Sequence, residues 1–191
     1  MKKPIKSLKE KLVGEKDALD LLHDDHKRVQ KLFREFKRLV EDEASYDQKS
    51  TLVRKACAEL IIHAQIEEEI FYPAVRAVTG EEELLDEAQI EHDSARELIH
   101  QLLDMLPGED LYDAKFIVLS EQVKHHIREE EDQIFGAAKK ARMDLVLLAR
   151  EMEARKMELM TDLGVTDENL GEINLTGAHA KAVLTREGLL P

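Results

Sequence analysis

Apolar residues recur along this chain in alternating steps of three and four positions, and turn signals break the pattern at only a few places. Positions three and four apart share a face of an α-helix, so the pattern predicts amphipathic helices, each burying one stripe. Four long segments carry it. The first runs roughly from Asp17, a helix-capping residue, to Glu43, with the seam Leu19, Leu22, His26, Val29, Phe33, Phe36 and Val40. The second runs roughly from Ser45 to Val78, with Ala56, Leu60, His63, Glu67, Ile70, Ala74 and Ala77 on its seam, and Thr79-Gly80 stops it. Pro73 falls inside this second pattern and should kink it or end its regular part. The third runs roughly from Glu81 to Leu106, with Leu85, Ala88, His92, Ala95, Ile99, Leu102 and Leu106, and ends at Pro107-Gly108. The fourth runs roughly from Asp110 to Lys140, with Tyr112, Phe116, Leu119, Val123, His126, Glu130, Gln133 or Ile134, and Ala137. Short connections make consecutive helices antiparallel neighbours. The expected fold is therefore all-α: an up-down-up-down four-helix bundle.

Gln133 apart, six polar residues interrupt these apolar seams: His26, His63, Glu67, His92, His126 and Glu130. Each helical residue adds about 1.5 Å of height, so depth in the bundle can be counted from the turns. His26 stands 17 positions before Glu43, and His63 stands 18 after Ser45. His92 stands 14 before Leu106, and His126 stands 16 after Asp110. Glu67 and His92 are similarly level across the second turn. The six converge on one layer. They also repeat: a lone histidine and then His-x-x-x-Glu occurs in the first two helices and again in the last two.

A single histidine on an apolar stripe is ordinary. Four at one depth, two of them followed by a glutamate on the same helical face, demand compensation, because buried carboxylates and imidazoles left unpaired are costly. A cation compensates all six together. Neutral imidazoles and carboxylates without thiolate suit iron, and less specifically manganese, zinc or copper. The two-fold repeat is what a two-metal centre needs. Glu131 is an alternative ligand, and His125 competes with His126 for the inward position. His23, His100 and His179 fall beside the seams or outside the bundle, and solvated or supporting roles are expected of them.

The segments Leu-Leu-His-Asp-Asp-His26, His63-Ala-Gln-Ile-Glu67-Glu-Glu-Ile-Phe-Tyr-Pro73, Glu-His92-Asp-Ser-Ala-Arg and His126-Ile-Arg-Glu-Glu130-Glu-Asp-Gln-Ile-Phe135 occur in order. With them the chain resembles the hemerythrin-like family, the His-His-Glu cation-binding domain, over roughly residues 17 to 140. The resemblance implies an oxo- or hydroxo-bridged pair of non-haem iron ions that binds dioxygen or related species. His26 and His63 would serve one iron, His92 and His126 the other, and Glu67 and Glu130 would bridge. This chain departs from the oxygen carriers of that family at three positions. Arg96 stands where they have a further histidine, Glu130 follows its histidine by four residues where they have an aspartate at five, and Gly136 stands where a proline is common. Losing that histidine leaves both metals equally open, unlike a carrier that directs dioxygen to one iron. Arg96, one turn from His92, is placed to pair with a carboxylate near the site.

The chain has 191 residues, 43% hydrophobic, 36% charged and only 4% aromatic, enough for one domain with a sizeable core. Its formal net charge of −13 offers no basic stripe for nucleic acid. One cysteine, Cys57, excludes an internal disulfide and a thiolate metal site. No apolar run approaches the about 20 residues that span a bilayer, and none has signal-peptide character, so a cytoplasmic protein without membrane contact is expected. Residues 1–16 read as a basic arm. Residues 141–191 read as an additional helix, roughly Met143 to Met160, followed by an irregular tail; the helix would pack across the bundle or make a homodimer contact. The expected function is a di-iron protein that binds or reacts with dioxygen, peroxide or nitric oxide, in sensing or oxidative-stress handling. Iron storage, or iron sensing by occupancy, is the alternative. No separate acid, base or nucleophile accompanies the six residues, so the sequence leaves enzyme status open.

Overall fold

The computed structural model describes residues 16–164. Helix α1 spans Ala18–Glu41, and the Asp17 side chain accepts from the Leu19 and Asp20 amides while Asp20 returns a bond to the cap. Helix α2 spans Tyr46–Ile66 behind an equivalent box made by Ser45 and Gln48. It runs on through a π-helical turn, Glu67–Phe71, into α3, Tyr72–Thr79. Gly80, at φ +70°, ends α3 in the left-handed conformation that only glycine adopts without strain. Helix α4 spans Glu82–Asp104 and α5 spans Tyr112–Glu129. A second π-helical turn, Glu130–Ile134, joins α5 to α6, Phe135–Lys140. Helix α7 follows at Leu145–Asp162, capped by Asp144.

The helices α1, α2–α3, α4 and α5–α6 form the expected four-helix bundle, and among the described residues there is no strand. Phe33 and Phe36 pack against Phe116, with ring centroids 5.7 and 4.4 Å apart, and close the core at one end. Gly108, at φ +93°, lets the α4–α5 connection pass over Tyr46; a Cβ there would come within 2.7 Å of its ring. Helix α7 buries Leu148, Ala149, Met152 and Leu159 and lies across α1, α2 and the first π-helical turn. Among the described residues no helix is long and apolar enough to cross a membrane. The basic arm, apart from Lys16, and the tail beyond Gly164 lie outside the described residues.

Two expectations of the seam pattern need correction. Downstream of Glu67 the buried positions are Phe71, Tyr72 and Val75, whereas Ile70 and Ala74 are half-buried and Ala77 is exposed. Downstream of Glu130 the core holds Ile134, one of the two expected alternatives, with Phe135 and Ala138; Gln133 is exposed and Ala137 only half-buried. The cause is the same in both helices. A π-helical turn inserts one residue into the helical count, so each later inward position moves one place along the chain. The amides of Tyr72 and Phe135 bond five residues back, to the carbonyls of Glu67 and Glu130. Pro73, expected to kink or end the helix, sits in the first turn of α3, where its missing donor is absorbed by this wider turn. Gly136, its counterpart, shows that the second π-helical turn forms without proline. The third helix also stops at Asp104, which leaves Leu106 exposed.

Candidate metal centre

The level count along the helices holds in three dimensions. His26 of α1, His63 at the end of α2, His92 of α4 and His126 near the end of α5 are all buried, and Glu67 and Glu130 are essentially inaccessible. Each glutamate is the first residue of a π-helical turn, one helical turn beyond its histidine. His63 Nε2 lies 3.2 Å from Glu67 Oε1, and the other Glu67 oxygen reaches across the bundle to 3.4 Å from His92 Nε2. Glu130 reaches the opposite way, its Oε2 lying 3.2 Å from His26 Nε2. The histidines face each other in pairs, His26 and His63 with Nε2 atoms 3.2 Å apart, His92 and His126 with theirs 3.1 Å apart. Two groups result, His26–His63–Glu67–Glu130 and Glu67–His92–His126, each with one donor atom per residue within 4.8 Å of the rest. Glu67 belongs to both.

A ring of outer carboxylates determines which ring nitrogen carries the proton. His26 Nδ1 lies 2.8 Å from Glu131 Oε1, His92 Nδ1 lies 2.7 Å from Glu68 Oε1, and His126 Nδ1 lies 2.8 Å from Glu91 Oε2. Carboxylates only accept, so Nδ1 must donate in each, and a neutral ring then turns a bare Nε2 lone pair inward. The fourth histidine follows the pattern incompletely, with His63 Nδ1 3.6 Å from Asp25 Oδ2, too far for a hydrogen bond. The outer partners repeat like the inner six. Asp25 and Glu91 each precede a histidine, His26 and His92; Glu68 and Glu131 each follow a glutamate, Glu67 and Glu130.

At His92 and His126, whose Nδ1 atoms both donate to carboxylates, the facing Nε2 lone pairs about 3 Å apart repel unless a cation lies between them. Donors on adjacent positions of one ion, with bonds of about 2.1 Å, stand about 3 Å apart, which is the spacing seen here. Both oxygens of Glu67 and of Glu130 are buried without a hydrogen-bond partner, the condition that a bound cation relieves. Burial drives the His63 imidazole down to about 4 despite nearby Asp25, so it is neutral and ready to ligate. Burial also lowers His92, with the Glu68 hydrogen bond opposing. Burial and the neighbouring Glu130 charge push Glu67 well above the usual carboxylate range.

The remaining candidates sort plainly. Glu131 binds the back of His26, and of His23 at 2.8 Å, rather than entering the centre. His125 is exposed near Glu129 and Glu91, so the inward position belongs to His126. Sequence reasoning missed Asp25, Glu68 and Glu91, and also Tyr72, whose ring stacks on His92 with centroids 5.7 Å apart. Its hydroxyl is buried without a partner, and burial together with the Glu130 and Glu67 charges holds its pKa well above normal. The position of Glu68 and Glu131, each one residue past an inward glutamate, was the available signal. Beside the histidines a cavity of about 300 Å³ opens, walled mainly by apolar side chains such as Val29, Leu60, Ala95 and Ile99.

The comparisons with known proteins bear on the family and the fold. The fold is similar to the crystal structure of a hemerythrin HHE cation-binding domain-containing protein from Mycobacterium kansasii, with a TM-score of 0.68 and 23% identity over 87% of this chain and 99% of that one. The chain is also 27% identical over 150 residues to a protein of Nostoc sp. strain PCC 7120 described as a DNA nickase. That match takes in 76% of this chain but 40% of the relative's length. The family model of the hemerythrin HHE cation-binding domain matches residues 17–138, which include all six inward residues and all four outer carboxylates. The chain belongs to the hemerythrin HHE cation-binding domain family, and its domain is a metal-binding helical bundle.

Proposed function

We propose that this domain holds two iron ions: His26, His63 and Glu130 would hold one and His92 and His126 the other, with Glu67 placed to reach both. In this reading the protein binds or reacts with dioxygen, peroxide or nitric oxide, in sensing or in handling oxidative stress. The observation that carries it is the pairing of inward Nε2 atoms around two carboxylates whose oxygens have no donor. Imidazole and carboxylate donors without thiolate suit iron. Bound iron supplies Lewis acidity and one-electron redox chemistry.

The chain's own residues supply the rest. Glu67 reaches both histidine pairs and couples the two halves. Glu68, Glu91 and Glu131 hold three rings in the tautomer that ligates. Phe135 stacks on His26 at 5.9 Å and Tyr72 on His92, covering the rings against water. The apolar cavity beside the histidines admits small, weakly polar molecules to the centre. The nicking activity of the Nostoc protein is not carried over to this chain, which spans 40% of that protein's length.

Metal analysis of protein purified without chelator, with absorption spectra under air, peroxide and nitric oxide, tests this. Two irons per chain and rapid spectral change are expected. A protein that takes up zinc alone would overturn the redox reading. A centre that fills with iron but gives no response to the three oxidants would favour storage or sensing by occupancy.

A further inference from the structure

Three of the four inward histidines have a carboxylate closed on Nδ1 at 2.7–2.8 Å, and His63 does not. By the internal repeat, Asp25 is to His63 what Glu91 is to His126. Yet Asp25 stands 3.6 Å away while Glu91 stands 2.8 Å away. What Asp25 holds instead is helix α7. Lys156 Nζ donates to both Asp25 oxygens at 2.7 Å, and Arg28 donates to Oδ1. The Asp25 carboxylate is buried, so these bonds act in a low-dielectric setting where they are strong. Helix α7 lies beyond the stretch that the family model matches, and Arg155 pins it a second time, to Glu69, at 2.6 and 3.1 Å.

We propose that Lys156 is a positioning residue that competes with His63 for Asp25, so that the docking of α7 weakens metal binding by the His26–His63 half of the centre. The inference rests on the metal-binding reading above. A bound cation withdraws electron density from the imidazole and makes His63 Nδ1–H a stronger donor. Asp25 is then drawn toward His63 and away from Lys156. Linkage makes the effect mutual: whatever α7 takes from metal affinity, metal takes from the hold on α7. The occupancy of half the centre is thereby reported at the bundle surface.

The test measures release of ferrous iron to a competing chelator under anaerobic conditions, in the full chain. Lys156→Met keeps the aliphatic stem and removes the charge, and Lys156→Gln serves as a second variant; circular dichroism verifies that each folds. Release from the His26–His63 half should slow roughly three- to tenfold in both variants. In an Asp25→Asn background, where there is no carboxylate to compete for, Lys156→Met should change nothing. Iron loading should also speed amide hydrogen exchange in α7 of the wild type, and not in the Lys156 variants. If aspartate is merely too short to reach His63, the Lys156 variants will release iron at the wild-type rate, which would overturn the inference and leave the metal centre standing. A wild-type protein that takes up no iron would overturn both.

Discussion

Arg96 Nη1 donates to Glu68 Oε1 at 2.7 Å, and that same oxygen accepts from His92 Nδ1. Arg96 is buried as fully as the histidine, and its other arm is held by Asp93 at 2.7 Å. Arg96 therefore acts at one remove from the centre, through an outer carboxylate. Burial alone would raise Glu68, but His92 and Arg96 keep it ionised below its ordinary range. Arg96→Ala should lower metal affinity at the His92–His126 half by about tenfold, and Glu68→Gln should do the same. Because they act through one oxygen, the double variant should lose little more than either single one. An Arg96→Ala protein with unchanged iron content and unchanged oxidation rate would remove this role.

Glu67 and Glu130 differ in reach. Both Glu67 oxygens are placed against a histidine, one in each half, whereas Glu130 groups with His26 and His63. Glu67→Ala should thus deplete both metal positions, and Glu130→Ala should leave the His92–His126 position the fuller of the two. Metal content per chain by mass spectrometry decides this. Equal retention in the two variants would contradict it.

Four carboxylate oxygens of the centre are buried without hydrogen-bond partners, and its histidine Nε2 atoms face each other in two pairs. Saturating the site at about 100 times its dissociation constant adds about 2.7 kcal/mol to stability. For a domain of this size that raises the melting temperature by roughly 5–10 °C. Calorimetry before and after chelation measures it, and a melting temperature indifferent to metal would count against a centre held at the core of the fold.

Cys57 is buried in α2, and burial pushes its thiol up to about 12. Below about pH 9 the thiol is neutral in folded and unfolded chains alike, so this contribution to stability is intact. Between about 9 and 12 only the unfolded chain ionises, and stability falls by roughly 1.4 kcal/mol per pH unit. Tyr112, pushed up to about 12 by burial and by Cys57, loses stability in the same direction. Cys57→Ala should flatten this alkaline loss without abolishing it, read from denaturant midpoints at pH 8, 9.5 and 11. An identical slope in the variant would refute the assignment.

Periodicity by itself determined the four bundle helices and the six inward residues, because a regular helix converts spacing along the chain into direction and depth in space. It stopped being reliable where the helix stopped being regular. After Glu67 and Glu130 the wider turns moved the core from Ile70 and Ala74 to Phe71 and Val75, and from Ala137 to Ala138. Only the tertiary structure showed that Glu68 and Glu131, the second of which the sequence offered as an alternative ligand, close on the backs of His92 and His26. The same holds for Asp25, which lies 3.6 Å from His63 and is held by Lys156 of α7. Those contacts join residues 24 to 131 positions apart, and the spacing within any one helix carries no information about which side chain another helix will bring to meet it.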